Sequence, residues 1–144
     1  MTRHLARKAA LQILYQLDTN PTLTVLQGIH EYETHFSAAG PAPLKGDAFI
    51  ARLVEGVRGH LSEIDASIVQ VAQNWTIKRM PAVDRNLIRL GAFEILFCDD
   101  IPATVTIDQM VEIAKGYGSE ESGRFINGVL DKLRVEFPRP GKKA

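Results

Sequence analysis

The sequence predicts an all-α fold of about seven helices in two packed helical subdomains. Apolar residues recur at helical spacing along almost the whole chain, and no segment shows the convincing alternation of a strand. Prolines, glycines and capping residues interrupt this pattern at intervals typical of helix lengths. Of the 144 residues, 45% are hydrophobic and 24% are charged, which excludes a wholly disordered or fibrous chain.

The first two helices are predicted from a cap and a proline. The first runs from about Arg3 to Leu17, with Thr2 placed to act as its N-cap. Because proline suits the first position of a helix, Pro21 marks the start of the second helix. That helix should fade by Phe36.

Loop and capping signals follow in the middle of the chain. Residues 37–46 are rich in alanine, glycine and proline and form the clearest predicted loop. Asp47 then caps a third helix that reaches about His60. Ser62 and Asp65 have capping-box spacing and mark the start of a fourth helix.

The second half of the chain begins with a predicted hinge over residues 73–80. Pro81 opens a long apolar helix that runs to about Cys98. Thr106 and Gln109 have the spacing of a capping box and predict the start of the next helix.

The last helix is predicted to begin at Ser119, which precedes two glutamates in a first turn. These elements together predict a single helical domain over residues 1–137. Its N-terminal lobe spans about 1–73 and its C-terminal lobe about 81–137. The remaining residues, 138–144, are expected to form a flexible tail.

Composition and motifs exclude several classes of function. Lys and Arg number 17 and Asp and Glu also number 17, so net charge indicates no partner. The sequence has no glycine-rich phosphate loop, nucleophile elbow or His/Cys cluster, so we expect no enzyme, no cofactor and no metal. The single cysteine, Cys98, has no internal disulfide partner, and no stretch is long enough for a membrane span. We expect a cytoplasmic protein.

The first helix carries a basic patch. At 100° per residue, Arg3, His4, Arg7 and Lys8 fall within an arc of about 140°, and Tyr15 continues the same side. Cations beside an aromatic ring suit a nucleic-acid backbone, because each neutralised phosphate releases counterions. The alternative is an ordinary solvated helix start.

The last helix gives a second indication of nucleic-acid binding. Phe125 falls on the flank of the apolar face beside Lys132, and it is next to Arg124 and Asn127. A half-exposed phenylalanine can stack on an unpaired base while polar neighbours hydrogen-bond to it. Gly128 also leaves bare backbone on this polar side. The alternative is that Phe125 closes the edge of the hydrophobic core.

The long helix places carboxylates where apolar side chains would be expected. Arg85 and Arg89 lie on a polar stripe that resembles a solvated face, whereas Asp84 and Glu94 project into the apolar arc. A carboxylate on an apolar face needs a partner. That partner is either an internal cation or a basic protein that docks on this surface, and for Asp84 the helix dipole also offers stabilisation.

Four segments resemble the NusB family of bacterial transcription antitermination factors. These are RHLARKAALQILYQ at 3–16, PAVDRNLIRLGAFEIL at 81–96, IDQMVEIAKGY at 107–117 and FINGVLDK at 125–132. The phrase FINGVLD is highly characteristic of that family. The resemblance covers nearly the whole chain and is weakest over residues 18–46 and the tail.

The resemblance implies a non-enzymatic protein of two helical subdomains. Such proteins pair with NusE, a small-subunit ribosomal protein, and together they bind the single-stranded boxA element of ribosomal RNA leader transcripts. Other Nus factors and RNA polymerase are then indirect partners. Some family members form homodimers, and a homodimeric helical interaction protein without direct RNA binding is the alternative function.

The resemblance also assigns residues by position. The RNA-facing residues would be Arg3, His4, Arg7, Tyr15, Glu121, Arg124, Phe125 and Asn127. Lys8, where the family often has glutamate, keeps the cationic character of the first helix. The NusE-facing residues would be Asp84, Arg85 and Arg89.

Overall fold

The computed structural model of the chain describes residues 2–35, 48–73, 76–117 and 119–143. Over these ranges it contains seven α-helices and a 3-10 turn at Ile77–Arg79, and the all-α prediction is confirmed. The helices are α1 (Arg3–Thr19), α2 (Val25–His35), α3 (Ala48–Gly59), α4 (Leu61–Val71), α5 (Ala82–Phe97), α6 (Ala103–Tyr117) and α7 (Glu120–Glu136).

The chain divides into two compact units, Met1–Gly59 and His60–Ala144. In the first unit, α1 packs against both α2 and α3. The division falls earlier than the hinge predicted over residues 73–80. The reason is that α4 packs against α5 and α7 and so belongs to the second unit.

The second unit is built around α5, which packs against α4, α6 and α7. Most of the residues of α5 are buried, as expected for a helix that is covered on several sides. Gly91 lets α7 approach closely, because a Cβ atom at this position would lie 2.7 Å from Cδ1 of Leu130. Close packing between α5 and α7 brings the N-terminal ends of these two helices together.

Two of the predicted helix caps are confirmed. The Thr2 side chain accepts a hydrogen bond from the backbone N–H of Leu5, at 3.2 Å, and α1 begins at the next residue. The Ser119 hydroxyl accepts from the backbone N–H of Ser122, at 3.3 Å, and caps α7.

Other predicted helix starts are wrong. The second helix begins at Val25 rather than near Pro21, because Thr24 and Gln27 bond reciprocally as a capping box. Ser62 lies inside α4, which begins one residue after His60. The predicted end at Phe36, the loop at 37–46 and the cap at Asp47 lie outside the described residues.

The predicted capping box at Thr106 is also wrong. The sixth helix begins at Ala103, directly after Pro102, whose fixed backbone angle suits a helix start. Thr106 is buried in this helix, and its hydroxyl donates a hydrogen bond to Oε1 of the buried Glu94, at 2.7 Å. The hydroxyl therefore serves a tertiary contact instead of a cap.

The residues after α7 are held against the second unit, in contrast to the flexible tail expected from the sequence. Lys142 Nζ donates to the backbone carbonyl oxygens of Glu94 and Cys98, at 2.7 and 2.6 Å. Arg139 bonds to Oδ1 of Asp99 at 2.6 Å. Because the last carbonyls of a helix lack intrahelical partners, the tail satisfies the C-terminal end of α5.

Candidate nucleic-acid interface

The solvent-facing side of α1 is narrower than the sequence predicts. Because α1 packs against two helices, its buried side covers more than half of its circumference. Arg7 is 2% exposed, although the helical spacing predicts it on the basic, outward side. That part of the prediction is corrected.

Two arginines of α1 are anchored by an aromatic ring of the same unit. The guanidinium carbon of Arg3 lies 4.4 Å from the ring centroid of Phe49, at the start of α3. The corresponding distance for Arg7 is 5.4 Å. Cation–π contacts of this kind hold a guanidinium in place at modest energetic gain. Arg7 therefore takes part in the packing of the unit.

The remaining residues of the predicted patch do reach solvent. Arg3 is exposed, His4 and Lys8 are partly exposed, and Tyr15 is 41% exposed two turns further along. The outward cations and the aromatic ring form a surface that suits a phosphate backbone and an adjacent base. We call these four residues the α1 face.

The burial of Arg7 predicts that Arg7→Ala and Lys8→Ala differ in thermal unfolding. Arg7→Ala should lose about 1–2 kcal/mol of unfolding free energy, because it removes a packed stem and a cation–π contact. Lys8→Ala should change stability by less than about 0.5 kcal/mol, as is usual for surface substitutions. Denaturant unfolding of both variants checks this, and equal stability of Arg7→Ala and wild type would contradict the buried role.

At the other candidate site, one stripe of α7 faces outward from its first turn. Glu121, Phe125, Gly128 and Lys132 follow one another at spacings of four, three and four residues, which places them along one side of the helix. Glu121, Gly128 and Lys132 are exposed, and Phe125 is partly buried. Asn127, two residues after Phe125, lies about 200° away around the helix and is not brought beside the ring.

A cleft lies where the starts of α5 and α7 meet. It has a volume of about 320 Å³ and is lined by Pro81, Asp84, Ser119, Glu121, Ser122 and Phe125. The polar groups of this lining are hydrogen-bond acceptors or hydroxyls, and two of them are carboxyl groups. We call it the acidic cleft.

Phe125 also lines a second groove. It has a volume of about 300 Å³ and is lined by Val71, Ala72, Gln73, Arg124, Phe125, Gly128, Val129 and Lys132. Arg124 and Lys132 supply two cations, and we call it the basic groove. Phe125 thus forms a wall shared by an acidic and a basic depression, which neither of the two interpretations drawn from the sequence described.

Asp84 is a buried carboxyl group in the lining of the acidic cleft. It is 8% exposed and accepts a hydrogen bond from the Ser122 hydroxyl at 3.4 Å. Burial raises the pKa of its carboxyl group above the ordinary value of 3.8, and the Ser122 hydrogen bond lowers it by less. Desolvation therefore dominates over partners at this carboxyl group.

The raised pKa of Asp84 predicts a pH-dependent stability. The native state holds the proton more tightly than the unfolded chain, so the free energy of unfolding falls as pH rises from about the unfolded pKa through the folded one. Asp84→Asn should remove this contribution and raise the melting temperature at neutral pH. Melting curves from pH 4 to 8 check it, with Asp108→Asn on the exposed side of α6 as control. A lower melting temperature for Asp84→Asn at every pH would contradict this assignment.

The polar stripe predicted on α5 is not a solvated face. Arg89 is 8% exposed, and its Nε and a terminal nitrogen bond to the two carboxylate oxygens of Asp65 on α4, each at 2.9 Å. Arg85 donates to the backbone carbonyl oxygen of Met80 at 3.2 Å. Arg85 and Arg89 thus both form hydrogen bonds within the second unit. The prediction that they lie on a solvated face is corrected.

Three contributors to these surfaces were missed or underused in the sequence. Phe49 is distant from α1 along the chain, and no local pattern links it to Arg3. No motif or spacing in the sequence identifies Ser122 as part of the site, apart from its position two residues before Arg124. The helical spacing predicts Lys132 beside Phe125, seven residues away on one side of α7, but it was assigned no role there.

Two further findings concern the described ranges. They hold no group of three or more His, Cys, Asp or Glu side chains that could bind a metal ion. None of the helices described there is long and apolar enough to cross a membrane.

Comparison with known proteins identifies the family to which the chain is similar. The profile of the NusB family matches residues 4–134. A protein of Desulfitobacterium hafniense (strain DSM 10664 / DCB-2), named transcription antitermination protein NusB, is 46% identical over 134 residues, which cover 92% of this chain and 88% of the relative. A NusB protein of Syntrophus aciditrophicus is 40% identical over 135 residues, covering 94% of this chain and 81% of the relative.

Solved structures agree with these sequence matches. The structure of NusB from T. maritima superposes with a TM-score of 0.83 at 35% identity and covers 96% of this chain and 94% of its own. A structure of the antitermination factors NusB and NusE in complex with dsRNA has a TM-score of 0.80 at 26% identity, and covers 95% of this chain and 100% of its own. The chain therefore belongs to the NusB family.

Proposed function

We propose that this protein is a transcription antitermination factor that binds boxA-type RNA of ribosomal RNA leader transcripts together with NusE. It carries out no chemistry and works in the cytoplasm, with other Nus factors and RNA polymerase as indirect partners. The observation that carries this proposal is the 46% identity over 134 residues with a protein named for transcription antitermination. The solved complex of NusB, NusE and RNA, at 26% identity, supports the two partners.

In the proposed mechanism, the protein binds the RNA and holds it in position. Arg3, His4 and Lys8 of the α1 face hold phosphates, with Tyr15 beside them. On α7, Phe125 stacks on an unpaired base, while Arg124 and Lys132 neutralise phosphates that flank it. Glu121 accepts hydrogen bonds from base edges, since an acidic side chain on this turn would repel phosphate. Arg7 is buried beneath the α1 face and supports it through packing. Asn127 contacts the RNA at a point away from the stacked base.

Binding to NusE supplies the rest of the affinity, because the cationic surface of this chain is small. By the same resemblance, Asp84, Arg85 and Arg89 are proposed to lie on the NusE-facing side. Since Arg89 is tied to Asp65 and Arg85 to Met80, we propose that these two shape that side and contribute less to direct contact.

The salt dependence of RNA binding tests direct binding. Three or four phosphate contacts to single-stranded RNA predict a log–log slope of the binding constant against salt of roughly −2 to −3. Lys8→Ala should reduce the magnitude of this slope by about 0.7, the value for one contact. A slope near zero, together with a dimer in sedimentation, would support the homodimeric alternative instead.

Gly128 offers a test of the basic groove that does not destabilise the fold. A Cβ atom at Gly128 would meet nothing within 4 Å, so Gly128→Ala should raise the unfolding free energy by roughly 0.5–1 kcal/mol through helix propensity. The added methyl group should nevertheless weaken RNA binding by about fivefold if a nucleotide packs there, since overpacking costs about 1 kcal/mol or more.

Gly116→Ala, at the end of α6, is the matched control, because its Cβ atom also enters open space. It should leave RNA affinity unchanged. Unchanged affinity of Gly128→Ala would exclude the basic groove from the RNA path.

A further inference from the structure

A cavity in the second unit is lined by cations that belong to neither of the proposed RNA-binding surfaces. It lies among the C-terminal end of α5, the start of α6 and the end of α7, and its volume is about 360 Å³. Four of its lining residues are basic, namely Arg134, Arg139, Lys142 and Lys143, and none of the described residues that line it is acidic. We call it the cationic cavity.

The two arginines are held in place by carboxylates outside the lining and keep hydrogen-bond donors to spare. Nε and a terminal nitrogen of Arg134 donate to the same oxygen of Asp131, at 3.1 and 2.8 Å. A terminal nitrogen of Arg139 donates to Oδ1 of Asp99 at 2.6 Å. Because a guanidinium group has five N–H donors, both arginines retain donors for a ligand after these bonds are made.

The two lysines contribute in different ways. Lys142 Nζ donates to three backbone carbonyl oxygens at the end of α5, so it supplies charge to the cavity rather than hydrogen bonds. Burial lowers the pKa of this ammonium group, and a nearby anion would favour its charged form. Lys143 is exposed, and its backbone N–H donates to the carbonyl oxygen of Asp99 at 2.8 Å. That bond fixes the backbone of Lys143 at the mouth of the cavity and leaves its ammonium group accessible.

Charge and size limit what the ligand can be. The cations converge on one cavity, and the first turn of the 15-residue helix α6 borders it at Ala103 and Thr104, which adds the positive end of a helix dipole. A volume of about 360 Å³ lies at the lower end of small-ligand sites. An RNA backbone carries one negative charge per nucleotide, whereas two linked phosphate groups bring two or more charges into the same space. The arrangement therefore favours a compact polyanion.

We propose that the cationic cavity binds a small anion with two linked phosphate groups, which is either free pyrophosphate or the diphosphate of a nucleotide. Arg134 and Arg139 donate to it from their spare N–H groups, and Lys143 pairs with it from the solvent side. The apolar part of the lining, which includes Phe137, offers a surface for the base of a nucleotide. The site shares no residue with the α1 face or the basic groove, and the inference does not depend on RNA binding.

Calorimetric titration of the full chain with inorganic pyrophosphate at low salt tests the site. Wild-type protein should bind pyrophosphate at least about tenfold more tightly than inorganic phosphate or sulfate, because the second phosphate group adds charge-assisted hydrogen bonds. Arg134→Gln should weaken pyrophosphate binding by about tenfold, and Lys143→Gln by about threefold to fivefold. Both side chains are exposed, so neither variant should lose its fold.

Lys115→Gln is the matched control. It removes the same charge as Lys143→Gln from an exposed position near the other end of α6, about 18 Å along the helix from Ala103. Its affinity for pyrophosphate should equal that of wild type. A loss as large as that of Lys143→Gln would mean that only the net charge of the protein attracts the anion, and would overturn the proposal.

The same titration with a nucleoside diphosphate distinguishes the two sources of the diphosphate. Tighter binding than pyrophosphate would support a nucleotide as the ligand, and equal or weaker binding would support free pyrophosphate. Failure of wild type to bind pyrophosphate would overturn the proposal. If Arg134→Gln and Lys143→Gln weaken binding of a uridine dodecamer but not of pyrophosphate, these cations serve an RNA backbone and the proposal is likewise wrong.

Discussion

Replacing Phe125 with alanine is expected to weaken binding of single-stranded RNA by about fivefold to a hundredfold, the range for one base stacked on an aromatic side chain. Phe125 forms the wall between the acidic cleft and the basic groove, so its loss removes the platform on which the base stacks. The variant should also lose about 1–2 kcal/mol of stability, because the ring is partly buried. Fluorescence anisotropy and denaturant unfolding measure the two effects separately.

Phe125→Leu separates stacking from packing. Leucine keeps most of the apolar contact but has no aromatic face, so stability should stay close to wild type while RNA affinity falls nearly as far as in Phe125→Ala. Phe125→Trp, which keeps an aromatic face, should retain most of the affinity. If Phe125→Leu binds RNA as well as wild type, the ring closes the core and does not stack on a base.

The second large effect is expected at the ion pair between α4 and α5. Arg89→Ala and Asp65→Ala should each cost about 2–3 kcal/mol of unfolding free energy. Both bonds of the bidentate pair measure 2.9 Å, and the Arg89 side chain is 9% exposed. The cost is placed below that of a fully buried pair because Asp65 is 28% exposed.

A double-mutant cycle identifies the source of this effect. The double variant should be less destabilised than the sum of the single variants by about 1 kcal/mol or more, as expected for residues in direct contact. At a temperature well below the unfolding transition, NusE affinity of Arg89→Ala should stay within twofold of wild type. If Arg89→Ala keeps its stability and loses NusE binding, Arg89 contacts NusE directly and the structural role is wrong.

Local signals predicted the helices of this chain well. The caps at Thr2 and Ser119 and the break at Pro81 depend on a few neighbouring residues, so their chemistry is visible in the sequence. The errors arose where two local signals compete. Pro21 predicts a start for the second helix near residue 21, whereas the reciprocal hydrogen bonds of Thr24 and Gln27 begin α2 at Val25.

The site was less predictable, because its geometry depends on residues that are distant in sequence. Arg7 looked exposed on a single helix, and its burial follows from α1 having two neighbours. The bond between Arg89 and Asp65 joins positions 24 apart, and no periodicity within α5 reveals it. Likewise, the spacing along α7 placed Phe125 on a flank but could not show that Asp84 faces the same cleft.

Fluorescence anisotropy of a labelled boxA RNA, titrated with this protein alone and with purified NusE, tests the central claim most directly. The account predicts weak, salt-sensitive binding by the protein alone, because few cations of the α1 face and α7 reach solvent. It predicts that NusE tightens this binding by at least about tenfold, which is about 1.4 kcal/mol. Absence of RNA binding both alone and with NusE would contradict the account.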